Sequence, residues 1–388
     1  MVATLLGLGA APAGAADWVV LPQIRLGGEF DSNLNYSFQN RLSDVILKAW
    51  PSVDFTYASE VSQYTGRLAL TGMHYLKNSN LDKIDQSFTL SGKRQVLPRL
   101  GVTFSGSYIM DSTLEEELTA SGYIITRSPR QSYRLSPGLT YQLTERDTLG
   151  VEYAFGQVNY QDPGFRDYTT HRLSLGYGHL MANARTTLRA VVAGQAVDYS
   201  RGGNRYQTLN LAAGVEHKVA EDFSLTALAG VNVTRMRELT VARGPGGLLF
   251  LRPETTVQAG PFVEVAVTRR WPRTSLTAGV NRTESPSGGG ELLEYYRGFL
   301  GLEHALTERL KAGVDGSLYY STSSREVSDY ENLLFSLGPQ VSYQLTERLT
   351  LTSGYRFGYR EDLQADRNTH RHLVWLYLSY SRPWHWQR

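Results

Sequence analysis

The feature that most constrains this 388-residue chain is a two-residue alternation of apolar and polar side chains. In the segment that begins at Leu349, the apolar residues Leu351, Tyr355 and Phe357 occupy odd positions, and threonine, glycine and arginine occupy the even ones. Successive side chains of a β-strand point to opposite faces of the sheet. The alternation therefore predicts strands with one apolar face and one polar face.

A hairpin-like segment recurs along the chain. "YQLTERDTLGVEYAFG" begins at Tyr141, "YQLTERLTLTSGYRFG" begins at Tyr343, and a weaker copy begins at His304. In each copy, a short polar break separates two alternating stretches, which predicts a strand, a tight turn and a returning strand. Longer polar segments lie elsewhere, at 111–130, 239–253 and 282–291.

Short turns that alternate with long loops are typical of a transmembrane antiparallel up-and-down β-barrel. We predict an all-β fold of about 18 strands (16–18), with short periplasmic turns, longer extracellular loops and both termini in the periplasm. A soluble β-propeller is disfavoured because no period of about 40–50 residues is present. The predicted strand centres are Ile24, Val53, Leu70, Leu90, Phe104, Leu139, Tyr153, Leu175, Val192, Leu211, Ala229, Val263, Ala278, Leu300, Val314, Leu337, Tyr355 and Leu376.

The composition excludes several classes of protein. The chain has no cysteine, so disulfides and thiolate metal sites are excluded. Its net charge of +2 gives no electrostatic case for nucleic-acid binding. No run of 18 apolar residues predicts a transmembrane helix.

The N-terminal segment 1–16 is apolar, is rich in small residues and ends in Ala-Gly-Ala-Ala. This pattern predicts the cleavage end of a secretory signal whose basic first part is missing, so we expect a truncated signal peptide. A disordered apolar tail is the alternative. The barrel is expected to span residues 17–388.

Four prolines lie inside predicted strands: Pro51, Pro137, Pro261 and Pro339. Proline removes a hydrogen-bond donor from a sheet ladder. Two explanations are open at this point, a bulge or kink repeated around the barrel and strands that are shorter than the alternation indicates.

The alternation also assigns charged residues to the polar, lumen-facing side of the barrel. The pore-lining candidates are Arg134, Glu152, Arg172, Arg189, Glu216, Glu264, Arg297, Glu303, Lys311, Asp315, Arg356 and Arg360, joined by Arg25, Glu29, Lys48, Asp54 and Arg67. These charges could pair and simply keep the interior hydrated. Alternatively, they form a mixed wall with a modest cationic bias that favours anionic or sugar-like solutes. Inward-facing Trp50 and Phe299 are candidate sugar-stacking surfaces.

The sequence predicts no catalytic site, no metal site and no cofactor. His370 and His372 share a strand face, as two metal ligands could, but no carboxylate is fixed beside them. Serine, aspartate and histidine are frequent, yet no set converges at one rim. The chain is therefore expected not to be an enzyme.

Several stretches resemble a known family, the β-barrel porins encoded beside exopolysaccharide and exosortase gene clusters. "GGEFDSNLNY" (27–36) is similar to the family's opening strand and first outer loop, and "NRLSDVILKAWPSVDFTY" (40–57) to its second strand. "RQSYRLSPGLTYQLTERDTLGVEYAF" (130–155) resembles its central hairpin, and "RDYTTHRLSLGYGHL" (166–180) the following strand. The resemblance is specific for the architecture and weak for the solute.

The resemblance implies passage of a secreted exopolysaccharide across the outer membrane of a Gram-negative bacterium. Longer members of that family carry periplasmic helical repeats, so a separate periplasmic export protein is the expected partner here, beside the membrane lipid and the polysaccharide. A monomer is expected. Two other hypotheses stay open, a general diffusion porin and a structural barrel that sheathes a periplasmic partner such as a cytochrome. Segments 111–130 and 239–253 are the predicted gate.

Overall fold

The computed structural model describes residues 16–112, 127–200, 204–243, 249–323 and 331–387. Almost all of them form strands of one antiparallel sheet. The first nine strands are β1 (Asp17–Asp31), β2 (Asp44–Ala58), β3 (Ser62–Tyr75), β4 (Lys83–Leu97), β5 (Leu100–Ser112), β6 (Pro129–Gln142), β7 (Asp147–Tyr160), β8 (Tyr168–Leu180) and β9 (Thr186–Tyr199). The remaining strands are β10 (Arg205–Ala220), β11 (Phe223–Arg243), β12 (Leu249–Arg270), β13 (Thr274–Pro286), β14 (Leu292–Ala305), β15 (Leu310–Ser323), β16 (Glu331–Thr346), β17 (Leu349–Asp362), β18 (Arg367–Ser381) and β19 (Trp384–Gln387). A 3₁₀ turn, Ser79–Leu81, lies between β3 and β4.

The sheet closes on itself because β1 pairs with both β2 and β18. Each strand pairs with its neighbours in the chain, so the fold is an up-and-down barrel of 18 long strands. The short β19 continues β18 and pairs with the first residues of β1. The chain ends of the barrel therefore meet on the side of the short turns, which is the periplasmic side.

The predicted strand count is confirmed, and every predicted strand centre lies inside a strand. The predicted long loop at 239–253 is wrong over most of its length. β11 continues to Arg243 and β12 begins at Leu249, so the two form a long hairpin. Residues 1–15 of the predicted signal peptide lie outside the described residues. So do residues 113–126 of the predicted loop 111–130.

The four prolines interrupt a ladder without shortening a strand. Beside Pro339, β16 and β17 pair at Leu337 with Phe357 and again at Gln340 with Gly354, in one unchanged register. Pro51 and Pro137 stand in equivalent gaps of the β2–β3 and β6–β7 ladders. Because the register is the same on both sides, a bulge, which was one of the two open explanations, is absent at these three sites. Each loses a stretch of pairing instead, as expected where a donor is missing.

Pro261 differs from the other three prolines. β12 pairs with β11 past this residue, but its ladder with β13 ends at Val263 opposite Arg282. Above this point β12 and β13 separate.

The outer face of the barrel carries a continuous apolar belt. Exposed side chains such as Leu26, Leu68, Leu175, Val233 and Leu376 recur on one face of strand after strand. A closed barrel satisfies its backbone groups internally, so it can present such a belt to lipid. The chain is an integral β-barrel of a Gram-negative outer membrane. Among the described residues, no helix has the length and apolar character needed to span a bilayer.

Candidate functional site

The side chains of the twelve pore-lining candidates alternate with the exposed apolar residues of their own strands, which places them on the lumen face. In β17, for example, Arg356 and Arg360 alternate with lipid-facing Tyr355. In β9, Arg189 alternates with lipid-facing Leu188 and Val192. That these residues line a conducting path remains a prediction.

Three pairs of candidates form ion pairs in the periplasmic half and the middle of the lumen. Arg189 lies 3.5 Å from Glu216, and Lys311 lies 3.3 Å from Glu303. Arg356 lies 2.8 Å from Asp315. The six side chains are 40–57% exposed, so the pairs contact water. Each exposed pair contributes about 0–1 kcal/mol to the free energy of unfolding. The three pairs therefore form a polar lining and add little to the stability of the fold.

The Arg356–Asp315 pair spans three strands. It crosses β16 above Gly338, where an added Cβ would lie 3.1 Å from both Arg356 Nε and an Asp315 oxygen. A side chain at position 338 would therefore crowd the pair. Glycine lets the two charges meet across an intervening strand.

The other candidates have different surroundings. Arg134, Glu152, Arg172 and Glu264 have no ion-pair partner within the part of the chain that the structure describes. The Arg297 guanidinium lies 5.3 Å from the ring centre of Phe299 and 5.5 Å from that of Tyr319. A cation over an aromatic face is favourable.

Three inward-folded segments pack against the inner wall at the extracellular end of the lumen. The first is the loop between β1 and β2. Fully buried Asp31 pairs with Arg371 of β18, and Asn33 donates from Nδ2 to Thr369 Oγ1 at 3.0 Å. These contacts hold the loop against the inner wall.

Tyr36 is the buried tip of this first segment. It packs with Tyr319 of β15 and Leu334 of β16, which lie on the inner face of the barrel wall. Its hydroxyl lies against Gly358, where a Cβ would overlap it. Arg360 Nη1 lies 3.5 Å from the Tyr36 carbonyl oxygen. Arg360 is therefore engaged by the loop rather than exposed along the lumen.

The second segment is the extracellular end of the β13–β14 hairpin, residues 283–292, which we call the inner hairpin. Leu292 packs with Val197, Tyr206 and Met236 of β9, β10 and β11. Glu284 accepts hydrogen bonds from Thr208 and Thr234, on the lumen faces of β10 and β11. The hairpin thus leaves its place beside β12 and covers the inner face of three other strands.

Tyrosine hydroxyls hold the inner hairpin in place. Tyr199 donates to the Glu291 carbonyl at 2.8 Å and accepts from the Ser287 amide at 3.1 Å. Tyr206 donates to the Gly290 carbonyl at 3.1 Å. The amide of Arg166 donates to the Gly288 carbonyl at 2.9 Å. Gly290 has φ +87°, a conformation that favours glycine.

A second group of contacts closes the seam between β12 and β13. Arg282, which is 3% exposed, pairs with Glu294 at 2.6 Å. It also donates from Nη1 to the Pro261 carbonyl at 2.5 Å. Gln258 donates to the other Glu294 oxygen at 3.1 Å. These side chains replace part of the backbone pairing that β12 lacks at its free edge.

The third segment is the loop between β3 and β4. Leu81 of this loop packs against Leu34, Ile46 and Tyr75. The carboxylate of Asp82 accepts from the Tyr75 amide at 2.8 Å and contacts the His74 ring at 2.6 Å. Both hydrogen bonds, the amide one first, lower the pKa of Asp82.

The exposure of charged side chains therefore changes along the barrel axis. Four ion pairs of the extracellular half, Arg371–Asp31, Arg130–Asp111, Arg282–Glu294 and Lys48–Glu29, have side chains 0–21% exposed, whereas Arg367–Asp362 at the β17–β18 turn is 52% and 22% exposed. The three candidate pairs described above are much more exposed. The lumen-facing charges are therefore open to solvent toward the periplasmic end, and these four extracellular pairs are covered by neighbouring segments and strands.

The predicted aromatic surfaces are partly covered. Trp50 meets Tyr377 edge-on at 4.8 Å between ring centres, and Arg25 and Lys48 lie over the Trp50 ring. Tyr377 and Trp375 are each less than 10% exposed. Trp50 is half-buried, so it offers a partial stacking surface.

His370 and His372 share a face with exposed Val374 and Leu376, which makes it the lipid side. His372 Nδ1 lies 2.7 Å from the Tyr355 hydroxyl, and His370 Nε2 lies 3.2 Å from Arg41 Nη1. A neighbouring guanidinium opposes cation binding. The described residues contain no cluster of three metal-binding side chains.

The sequence-based assignment missed the inward-folded segments at the extracellular end of the lumen. A signal was present in "ELLEYY", where Leu292 and Leu293 break the alternation and are both buried. Apolar residues on both faces indicate a strand that is covered on both sides. A second signal was "SNLNYSF", a loop with Leu34, Tyr36 and Phe38, because apolar side chains in a loop require a packing partner.

Comparisons with known proteins give structural matches alone. No protein-family model matches the sequence, and no curated protein matches it. The fold is similar to OccAB3 of Acinetobacter baumannii, at 10% identity, 95% coverage of this chain, 99% of that chain and a TM-score of 0.46. It is also similar to OccK2 of Pseudomonas aeruginosa, in a complex with glucuronate (11% identity, 94% and 97% coverage, TM-score 0.44). The outer membrane channel DcaP of Acinetobacter baumannii is a third match (13% identity, 96% and 99% coverage, TM-score 0.43).

Proposed function

We propose that this chain is a gated outer-membrane channel for a hydrophilic solute, and that the inner hairpin is its gate. The observation that carries the proposal is the combination of a hydrated, charged lower lumen with an extracellular end packed by segments of the same chain. Barrels of about 16–18 strands leave an aqueous passage unless something fills it. A channel that is packed at one end must rearrange to conduct, which disfavours a permanently open diffusion porin.

The free edge of β12 gives the gate a second resting place. Extending the register of Val263 opposite Arg282 would set Glu284 opposite Pro261 and Pro286 opposite Ala259. The inner hairpin would then rejoin the wall and leave the lumen. Pro261 and Pro286 both lack an N–H, so this ladder is weak and the packed position is favoured at rest.

We further propose a secreted exopolysaccharide as the solute. The mixed, exposed charges of the lower lumen suit a hydrated polymer because they bind no single sign of charge strongly. The outer membrane has no nucleotide supply, so synthesis or an inner-membrane machine with a periplasmic export protein must push the chain. The resemblance to the exopolysaccharide-associated porins is the other support for this solute.

The proposed gate is tested with a disulfide that would hold the inner hairpin in the wall, beside β12. Cysteines at Ala259 and Pro286 would face each other across the rejoined ladder, about 4.5–5.5 Å apart between Cα atoms. A disulfide spans such a distance. We expect the oxidised A259C/P286C protein to conduct steadily in planar bilayers and to close after reduction. A disulfide that forms without raising conductance would refute the inner hairpin as gate.

The solute is tested separately in cells. A strain without the gene should lose its surface polysaccharide and accumulate polymer in the periplasm, and the A259C/P286C variant should restore export under reducing conditions. Normal surface polysaccharide in the deletion strain, together with slow growth on a small solute, would show that the channel passes a small solute and does not export polysaccharide. That result would not contradict the proposal that the inner hairpin is the gate.

A further inference from the structure

A groove crosses the outer, lipid-facing surface of the barrel at β9. Its floor is Gly194, where an added Cβ would meet nothing within 4 Å. Leu173 of β8 and Leu209 of β10 form its sides, and its volume is about 470 Å³. A groove with an apolar lining on a membrane-facing wall is a place where an acyl chain can bury apolar surface.

Cationic side chains surround the extracellular end of this groove. Arg235 lines it directly, and Arg237 lies two residues further along β11 on the same face. Arg205 of β10 stands directly opposite Arg237 in the ladder. Like charges at directly opposed positions are destabilising, so this arrangement calls for an anionic partner.

The chain supplies one such partner. Asp198 lies 3.1 Å from Arg205. On the described outward positions of β8 to β12 above the groove, Asp198 is the sole carboxylate, against three arginines. The patch therefore keeps a net positive charge that faces away from the lumen.

The level of the patch in the membrane follows from its neighbours. Val231 and Val233, just below Arg235 on the same face, are 48% and 38% exposed and belong to the apolar belt. An arginine that faces lipid costs about 2–4 kcal/mol at the midplane but about 0–1 kcal/mol near the interface. Arg235 and Arg237 therefore lie at the headgroups of the outer leaflet.

His171 adds a donor beside the groove. Its Nδ1 lies 2.8 Å from the Tyr153 hydroxyl. The tautomer that accepts the Tyr153 proton at Nδ1 carries its own proton at Nε2, which is then available to an anion.

We infer that this groove binds a phosphorylated glycolipid of the outer leaflet, with one acyl chain over Gly194 and a phosphate between Arg235 and Arg237. The groove and the patch are both required, since the first holds an apolar chain and the second an anion. The bound lipid would neutralise the opposed arginines and tie β8–β11 to the outer leaflet. The site lies outside the lumen, so it is independent of the gate.

The test uses the full-length barrel in detergent micelles and native mass spectrometry, with bis-phosphorylated lipid A as the probe. The wild type should retain lipid A, and R235Q/R237Q should bind it at least tenfold more weakly. R146Q/R348Q removes two arginines from the periplasmic turns and should bind like the wild type. Dephosphorylated lipid A should bind the wild type as weakly as lipid A binds R235Q/R237Q.

A second variant tests the groove itself. Gly194→Leu fills the floor and should weaken binding of both lipids, whereas Gly176→Leu, at an equally open glycine on the lumen face of β8, should not. Equal retention of lipid A by R235Q/R237Q and R146Q/R348Q would overturn the inference. So would equal binding of the phosphorylated and dephosphorylated lipids to the wild type.

Discussion

At the scale of single residues, polar side chains have two distinct tasks in this barrel. Exposed pairs such as Arg356–Asp315 keep the lower lumen hydrated, while buried pairs such as Arg371–Asp31 fasten segments that fill the upper lumen. The two kinds of ion pair differ in how far their side chains are buried. A buried pair is strongly coupled to its surroundings because removing one partner leaves an uncompensated charge.

The lumen position of Arg356 predicts its effect on ion selectivity. R356E places two carboxylates beside each other across Gly338, so selectivity in planar bilayers should shift toward cations. The swap D315R/R356E should restore the wild-type value because it keeps the pair and reverses its direction. Loss of membrane insertion by R356E, with unchanged selectivity in the protein that still inserts, would contradict the lumen assignment of this strand.

The hydroxyl of Tyr199 predicts how firmly the gate is held. Tyr199→Phe removes two hydrogen bonds to the inner hairpin, each of which contributes about 0.5–1.5 kcal/mol, while the Ser287 amide keeps its bond to the Glu291 carbonyl at 2.9 Å. The rate of opening events in bilayer recordings should rise about 5–100-fold. Tyr153→Phe, which removes a lipid-facing hydroxyl, is the matched control and should leave the opening rate unchanged.

At the scale of strands, the alternation of the sequence predicted nearly the whole wall. Every strand centre could be predicted because one face meets lipid and the other meets water, and this contrast is local to each strand. The inward turn of the inner hairpin could not be predicted in the same way. It depends on Pro261 ending one ladder and on contacts of Leu292 with strands more than 50 residues away in the chain.

The proline gaps predict a stability change that belongs to this scale. Pro339 faces lipid, and its gap keeps one register on both sides, so Pro339→Val should restore ladder hydrogen bonding to β17 without moving side chains. A regained hydrogen bond contributes about 0.5–1.5 kcal/mol. Slower amide exchange at residues 338–340 and 354–356 would follow. Faster exchange there would show that the proline conformation itself is required.

At the scale of the whole molecule, the barrel combines a nearly regular wall with three segments that pack against its inner face at one end. The sequence predicted the wall, the membrane and the lumen face of the charged residues. The gate was expected at 111–130 and 239–253, and the loop predicted at 239–253 is mostly strand, because a long polar segment resembles a loop whether it extends a hairpin or folds inward. The strand register distinguishes the two.

The central claim is that the inner hairpin blocks the lumen and must move for conduction. Its most direct test is a disulfide between Phe165→Cys and Gly288→Cys, because an added Cβ at 288 would lie 2.9 Å from the Phe165 ring in the packed position, beside the hydrogen bond from the Arg166 amide to the Gly288 carbonyl. Single-channel recording should show no openings while the F165C/G288C disulfide is intact and wild-type openings after reduction of the same membrane. Each single cysteine variant should respond to neither treatment. Equal conductance before and after reduction, with the disulfide confirmed by mass spectrometry, would show that the lumen conducts past a fixed hairpin and would contradict the claim.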